Sequence, residues 1–378
     1  MEPTMTEQKV EEEVVDDLDE VNEIIPSVFS ITSYGADYPV DALVKRMGDE
    51  GSSGTDIVIP RFNIEPEDGQ STSGFQRSFV WGKTQADRFI ESLLLGLPVP
   101  GIFLVKEANG KLLVLDGQQR LVTLMNFYGG VFRGVEFKLE NVQERWRGKT
   151  YKTLDVNDRR RLDDSIIHAT IVRQDEPDEE QSSVYLIFER LNSGGTILQP
   201  QEIRVALYHG KLAGLLSELN ENPAWRSLYG KKSTRLKDIE LILRFFALYY
   251  YGNQYNRPMK GFLNRYMSAN KSLERQTKED LTQVFIPLVE LISSALGSRA
   301  FRPSRALNAA VCDSVMVGLA KRLARDGTCE HIDRVKLKAA YDGLLADAAY
   351  RDSITRATAN EDSVSYRLSA ATTAFDRI

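Results

Sequence analysis

Cysteine is nearly absent from this chain: Cys312 and Cys329 are the only two in 378 residues. They lie outside any metal-ligand spacing, and in a reducing compartment both stay as thiols. Histidine is nearly as scarce, with His168, His209 and His331 too scattered in sequence to suggest a metal site. No apolar run reaches the roughly 18 residues of a membrane-spanning helix. The longest candidate, Leu241 to Tyr251, is interrupted by Arg244. A Gly-x-x-x-x-Gly-Lys-Ser/Thr segment is missing, and the glycines between 48 and 54 have no lysine after them, which sets a P-loop aside. The first residues are acidic where a secretory or mitochondrial leader is basic and apolar, so no targeting signal is expected and the cytoplasm is the expected location.

What is there is an ordinary globular composition, 42% hydrophobic and 27% charged, enough for one large core or two smaller ones. The formal charge of −6 conceals an asymmetry. Residues 1–25 hold ten acidic side chains against Lys9 alone, so the remaining 353 residues carry a net +3. Such a tail reads as solvated and disordered. The sharper reading is a tethered polyanion that competes with nucleic acid for a basic groove.

Along the chain, Tyr38 to Met47 has a short helical pattern and Ile57 to Ile59 an apolar strand pattern. Residues 65–74 are polar and end in Gly and Ser, as an exposed loop does. Thr84 can cap a helix carrying Phe89, Ile90, Leu93, Leu94 and Leu97, which Gly96 and Pro98 end. Ile102 to Lys106 and Leu112 to Leu115 read as strands joined by a tight hairpin at Asn109-Gly110. A helix marked by Leu121, Leu124, Met125 and Tyr128 ends at Gly129-Gly130. Val131 to Leu139 and Ile166 to Val172 read as further strands, separated by a helix around Asn157 to Asp164. From Ser182 onward the pattern is helical, through Ile239 to Tyr250, Leu281 to Leu296 and Ala306 to Leu323. The expected class is α+β: an acidic tail over 1–25, a mixed α/β domain over 38–200 and an all-helical domain over 201–378.

Between the second strand of that hairpin and the following helix stands Asp116-Gly117-Gln118-Gln119-Arg120. A glycine at a strand-to-helix turn exposes backbone N–H groups beside the positive end of the helix dipole, which suits a phosphate chain. Arg120 adds a planar, permanently charged fork for phosphate oxygens. Gln118 and Gln119 offer amides that orient a water or a base, and Asp116 is a candidate Mg²⁺ ligand, directly or through water. Backbone donors, a cation clamp and a metal partner are what triphosphate chemistry requires. Taken alone, five residues of this kind are also what a plain Asp-Gly turn ahead of a helix looks like.

Two further polar clusters bracket the same half. Phe75-Gln76-Arg77-Ser78-Phe79-Val80-Trp81 precedes the first long helix, and Phe188-Glu189-Arg190-Leu191-Asn192-Ser193-Gly194-Gly195-Thr196 follows the last strand. With Ile-Glu-Ser-Leu-Leu-Leu-Gly-Leu-Pro-Val-Pro at 90–100 and Asp-Gly-Gln-Gln-Arg-Leu at 116–121, their order resembles the N-terminal domain of GmrSD-type restriction endonucleases. That domain also occurs in SspE phosphorothioation-sensing proteins, and the resemblance spans roughly residues 38–270. It implies a ParB/sulfiredoxin-like α/β domain that binds and hydrolyses a nucleoside triphosphate, GTP being one candidate. Asp116, Gln118, Gln119 and Arg120 are then the catalytic group. Gln76, Arg77, Gly117, Arg120, Asn192, Gly194 and Gly195 bind nucleotide, and Asp116 holds Mg²⁺.

Two departures qualify the likeness. Glu330-His331-Ile332 only echoes the start of an HNH nuclease segment, and no second histidine follows it. Residues 65–74 look inserted ahead of Gln76 and Arg77. The resemblance therefore implies a nucleotide-dependent DNA-sensing component of a restriction or anti-phage system, with cleavage left to a separate nuclease subunit. The alternative is a non-enzymatic module that nucleotide switches between states.

Basic patches at Arg145/Arg147/Lys149/Lys152, Arg159-Arg160-Arg161 and Lys231/Lys232/Arg235/Lys237 are candidate phosphate-backbone contacts, though each reads first as a solvated face. Phe245 to Tyr251 reads as core packing rather than a base-stacking platform.

Overall fold

The computed structural model describes residues 31–48, 56–59, 81–107, 109–174, 182–191, 199–326, 332–376 and 378. The acidic tail, the polar stretch 65–74, Cys329 and His331 lie outside them. The chain divides into two compact units, one of residues 27–198 and one whose described part begins at Gln199. No described helix is long and apolar enough to cross a membrane.

The first unit is a six-stranded mixed sheet with helices on both faces. Its strands are β1 (Ile31–Pro39), β2 (Met47–Gly48), β3 (Ile57–Val58), β4 (Ile102–Lys106), β5 (Leu112–Asp116) and β8 (Ile166–Gln174), in spatial order β1-β8-β4-β5-β3-β2. β1 runs antiparallel to β8, β8 parallel to β4, β4 antiparallel to β5, and β5 and β3 continue in parallel to β2. On one face, Ile57, Ile102, Leu104, Leu112, Val114, Ile167, Ala169 and Ile171 alternate along the strands and form one buried cluster. Four helices cover that face: α1 (Val40–Arg46), α2 (Lys83–Leu95), α3 (Gln118–Gly129) and α4 (Val156–Asp163). They supply Leu43, Phe89, Ile90, Leu93, Leu94, Leu121, Leu124, Phe127 and Leu162 to the cluster. The intervening strand residues Val105, Leu113, Leu115 and Val172 are buried as well, and α5 (Ser182–Leu191) packs against β5 and β8.

Several local expectations shift. β1 carried no strand signal, because a nine-residue edge strand with Gly35, Asp37 and Pro39 is mostly exposed and does not alternate. Gly82, not Thr84, is the residue before α2, and its amide is satisfied by the Gln85 side chain at 3.0 Å. The Asn109-Gly110 turn is one residue longer than a two-residue hairpin. Glu107 N–H donates to Lys111 O at 2.8 Å, and Gly110 takes φ +85°. Val131 to Leu139 is not one strand but a small hairpin of β6 (Val131–Phe132) and β7 (Val135–Glu136).

A fully buried carboxylate ties this unit together. Asp87 on α2 accepts from Glu140 N at 3.1 Å, Asn141 N at 3.0 Å and Asn141 Nδ2 at 2.8 Å, and pairs with Lys83. Its charge is thereby compensated on all sides, as burial demands.

The second unit is helical: α6 (Pro200–Leu207), α7 (Lys211–Asn220), α8 (Pro223–Tyr229), α9 (Lys237–Tyr251), α10 (Met259–Ala269), α11 (Lys278–Leu296), α12 (Ala309–Asp326), α13 (Arg334–Ala346), α14 (Ala348–Ser353) and α15 (Glu361–Phe375). α12 and α15 pack along one another, and α9 packs on α12. Phe245, Phe246, Ala247 and Leu248 are buried core, as the apolar pattern of α9 indicated. Arg244, the charge that interrupts that pattern, is buried beside Asp313, donating from Nη2 at 2.8 Å, while Arg367 reaches the same carboxylate at 3.2 Å. The resulting chain therefore has the α+β layout expected, a sheet-bearing part followed by a helical one.

Candidate functional site

The Asp116 to Arg120 segment sits where β5 passes into α3. Gly117 makes the turn at φ +97° and ψ 5°, a left-handed conformation that side-chain-bearing residues avoid. It also has no room for a side chain, since a Cβ there would lie 2.4 Å from Ile102 Cγ2 and 3.2 Å from Arg120 Nη2. The glycine thus lets α3 begin directly against β4. The helix begins with no side-chain cap, so its first-turn amides face the end at which the dipole favours an anion.

Arg120 folds back over that turn. Its Nη2 donates to Asp116 Oδ2 at 2.8 Å and to Gly101 O at 2.9 Å, just ahead of β4. The arginine side chain is 13% exposed and the aspartate 46%, so the pair sits at the surface with the carboxylate outermost. Arg120 Nε is buried and donates to nothing. A buried, unsatisfied donor on a permanent cation costs about 1–3 kcal/mol, and an incoming acceptor oxygen relieves it.

Gln119 connects this turn to the upstream motif. Its Oε1 accepts from Trp81 N at 3.2 Å, and Thr123 Oγ1 donates to Gln119 O at 2.7 Å. Trp81, the last residue of the Gln-Arg-x-x-Val-Trp segment, packs edge-on to Phe89 at 5.6 Å between centroids. One end of that motif is therefore anchored beside α3. The side-chain oxygen of Gln119 thus holds backbone.

The match with known proteins follows the same segment. Residues 58–209 match the family model for the GmrSD restriction endonuclease, N-terminal domain. The likeness is to that domain and is confined to those residues, fewer than half of the chain. No curated protein and no solved structure matches the chain. The GmrSD-type match starts in β3, takes in the whole β5–α3 turn and ends at His209, just past α6. The family is named for a restriction endonuclease.

Of the residues expected to form the site, Asp116, Gly117, Gln118, Gln119 and Arg120 stand together at this turn. Gln76, Arg77, Asn192, Gly194 and Gly195 lie outside the described residues. Two contributors escaped the sequence reading. Gly101 supplies only a backbone carbonyl, and Ile102 only a methyl floor, and neither leaves a residue-type signal.

Among the described residues no three of His, Cys, Asp and Glu gather as a metal cluster. Asp116 is the residue here that could hold Mg²⁺, with Arg120 engaging its Oδ2. His168 is exposed on β8 with Nδ1 2.9 Å from Asp37 Oδ1, and His209 Nδ1 lies 3.2 Å from Ala206 O. Cys312 is buried, and burial pushes its thiol well above its usual range.

The basic patches are largely spoken for. Arg159 donates to Lys152 O at 2.7 Å, Arg161 to Leu94 O at 3.3 Å at the carboxyl end of α2, and Arg147 pairs with Glu144 at 2.8 Å. Arg235 pairs with Glu202 at 3.0 Å and Lys232 with Glu221 at 2.5 Å.

Proposed function

We propose that the chain is a nucleotide-dependent DNA-sensing component of a restriction or anti-phage defence system, and that the β5–α3 turn is where it takes up a nucleoside triphosphate. The observation that carries this reading is the buried, unsatisfied Nε of Arg120 beside an uncapped helix start, two features that a phosphate oxygen satisfies together.

In this reading Gly117 admits the phosphate chain to the amides of α3, and Arg120 gives up Asp116 to bind phosphate oxygens. Asp116, so released, would hold Mg²⁺, and the ion would supply charge neutralisation for hydrolysis. Gln118 orients the attacking water, and Gln119 keeps the Trp81 segment against the site. Gln76, Arg77, Asn192, Gly194 and Gly195 complete the nucleotide pocket. DNA is the partner that regulates turnover, and a separate nuclease subunit cuts.

Phosphate release from GTP, ATP, CTP and UTP, each with Mg²⁺ and with or without DNA, tests the enzymatic part. Turnover of at least one nucleotide that falls in Asp116→Ala is the expected result. Binding without turnover of any of the four overturns it and leaves the switch reading. One observation favours that second reading: Arg120 is closed onto Asp116 and Gly101, so nucleotide has a defined ion pair to open.

A further inference from the structure

The proposed site has a charge deficit. A triphosphate brings three or more negative charges, which Arg120 and the Mg²⁺ of the reading above, less the charge of Asp116, do not fully offset. The β6–β7 hairpin supplies another cation. Arg133 and Gly134 occupy its two-residue turn at φ +49° and +82°. Both central residues of such a turn are left-handed, and glycine, asparagine or aspartate fill it without penalty. An arginine there is conformationally expensive, and residues held in such sparsely populated regions cluster at ligand sites.

From this exposed turn the side chain reaches back to the end of the upstream motif. Arg133 Nη2 donates to Trp81 O at 3.4 Å, and the N–H of that same residue is held by Gln119 Oε1 at 3.2 Å. A single residue, Trp81, thus separates the Arg133 guanidinium from the side chain next to Arg120. The guanidinium also lies 5.7 Å from the centre of the buried Phe132 ring, which supports its base. At 3.4 Å that bond is long, and a charged phosphate oxygen is a stronger acceptor than a carbonyl.

We infer that Arg133 is a further phosphate-binding residue of this site, supplied by the β6–β7 hairpin and swung from the Trp81 carbonyl onto the outer phosphates of the nucleotide. The inference rests on the triphosphate reading above and adds to it the residue that offsets the remaining charge.

The turn itself provides the test. Arg133→Gly removes the guanidinium while relieving the left-handed backbone, so a role confined to structure raises or preserves stability and leaves affinity alone. Mg·GTP and Mg·ATP are titrated calorimetrically into the full chain, Arg133→Gly, Arg133→Lys and Arg120→Ala. Affinity about tenfold weaker in Arg133→Gly, with a melting temperature at or above that of the unaltered chain and partial recovery in Arg133→Lys, is the expected outcome. If Arg120→Ala weakens binding and Arg133→Gly does not, the inference is overturned while the site stands. If the unaltered chain binds neither nucleotide, the triphosphate reading fails and the inference with it.

Discussion

Replacing Gly117 by alanine is a perturbation whose cost follows from two separate geometric facts. At φ +97° an L-residue costs about 1–2 kcal/mol whatever surrounds it. The new Cβ would also lie 2.4 Å from Ile102 Cγ2 and 3.0 Å from Ile102 Cβ, well inside the roughly 3.5–4.0 Å of a normal carbon contact. Ile102 is fully buried on β4, so it has no solvent to move into, and overpacking of that kind adds about 1–3 kcal/mol. Gly96 is the internal control. It too is left-handed, at φ +72°, but a Cβ there meets nothing within 4 Å. Gly96→Ala therefore carries only the backbone cost, and Gly117→Ala exceeds it by the packing cost. Urea midpoints of both variants, with the slope checked for constancy, give that difference directly. Equal destabilisation by the two substitutions would refute the close approach of α3 to β4 on which the phosphate turn depends.

Asp87→Ala strips the partner from Lys83, from the amides of Glu140 and Asn141 and from Asn141 Nδ2, and is expected to cost about 3–5 kcal/mol in chemical denaturation. A loss under 1 kcal/mol, on the order of an exposed ion pair, contradicts the buried role of that carboxylate. Tyr128 is pushed far above its ordinary 10.0, by burial first and then by the Asp163 carboxylate that its hydroxyl bonds at 2.6 Å. The sign follows from the raised value: the protonated phenol stabilises the fold fully below pH 10.0, and that contribution drains away as pH rises beyond it. Stability against pH, followed by circular dichroism, should fall above pH 10.0 less steeply in Tyr128→Phe; superimposable alkaline slopes contradict the assignment.

The sequence and the structure agree where side-chain chemistry repeats along an element. Leu121 and Leu124 of α3 are core and Met125 and Tyr128 pack partly buried against it, as the spacing indicated, and Gly130, at φ +77°, ends the helix. The β5–α3 turn was legible because Asp-Gly between an apolar strand and an amphipathic helix admits few other geometries. What stayed hidden was long-range. β1 is a strand only because β8 pairs with it over nine residues, and its own residues give no alternation. Asp87 reads as the polar side of an amphipathic helix, yet the loop at 140–141 buries it. Arg244 breaks an apolar run in sequence and is answered by Asp313, 69 residues away, in space. The same holds at the site, where nothing in the sequence couples Gln119 to Trp81 or Arg133 to Trp81.

The central claim is that Arg120 meets a polyphosphate, and calorimetric titration of Mg·GTP and Mg·ATP into the full chain and into Arg120→Ala measures it most directly. Loss of one charge-assisted contact is worth about 1.5–3 kcal/mol, so affinity for the bound nucleotide should drop by roughly ten- to a hundredfold in the variant. Binding of equal strength in both proteins would contradict the account, because the guanidinium held at Asp116 and Gly101 would then be a structural clamp alone.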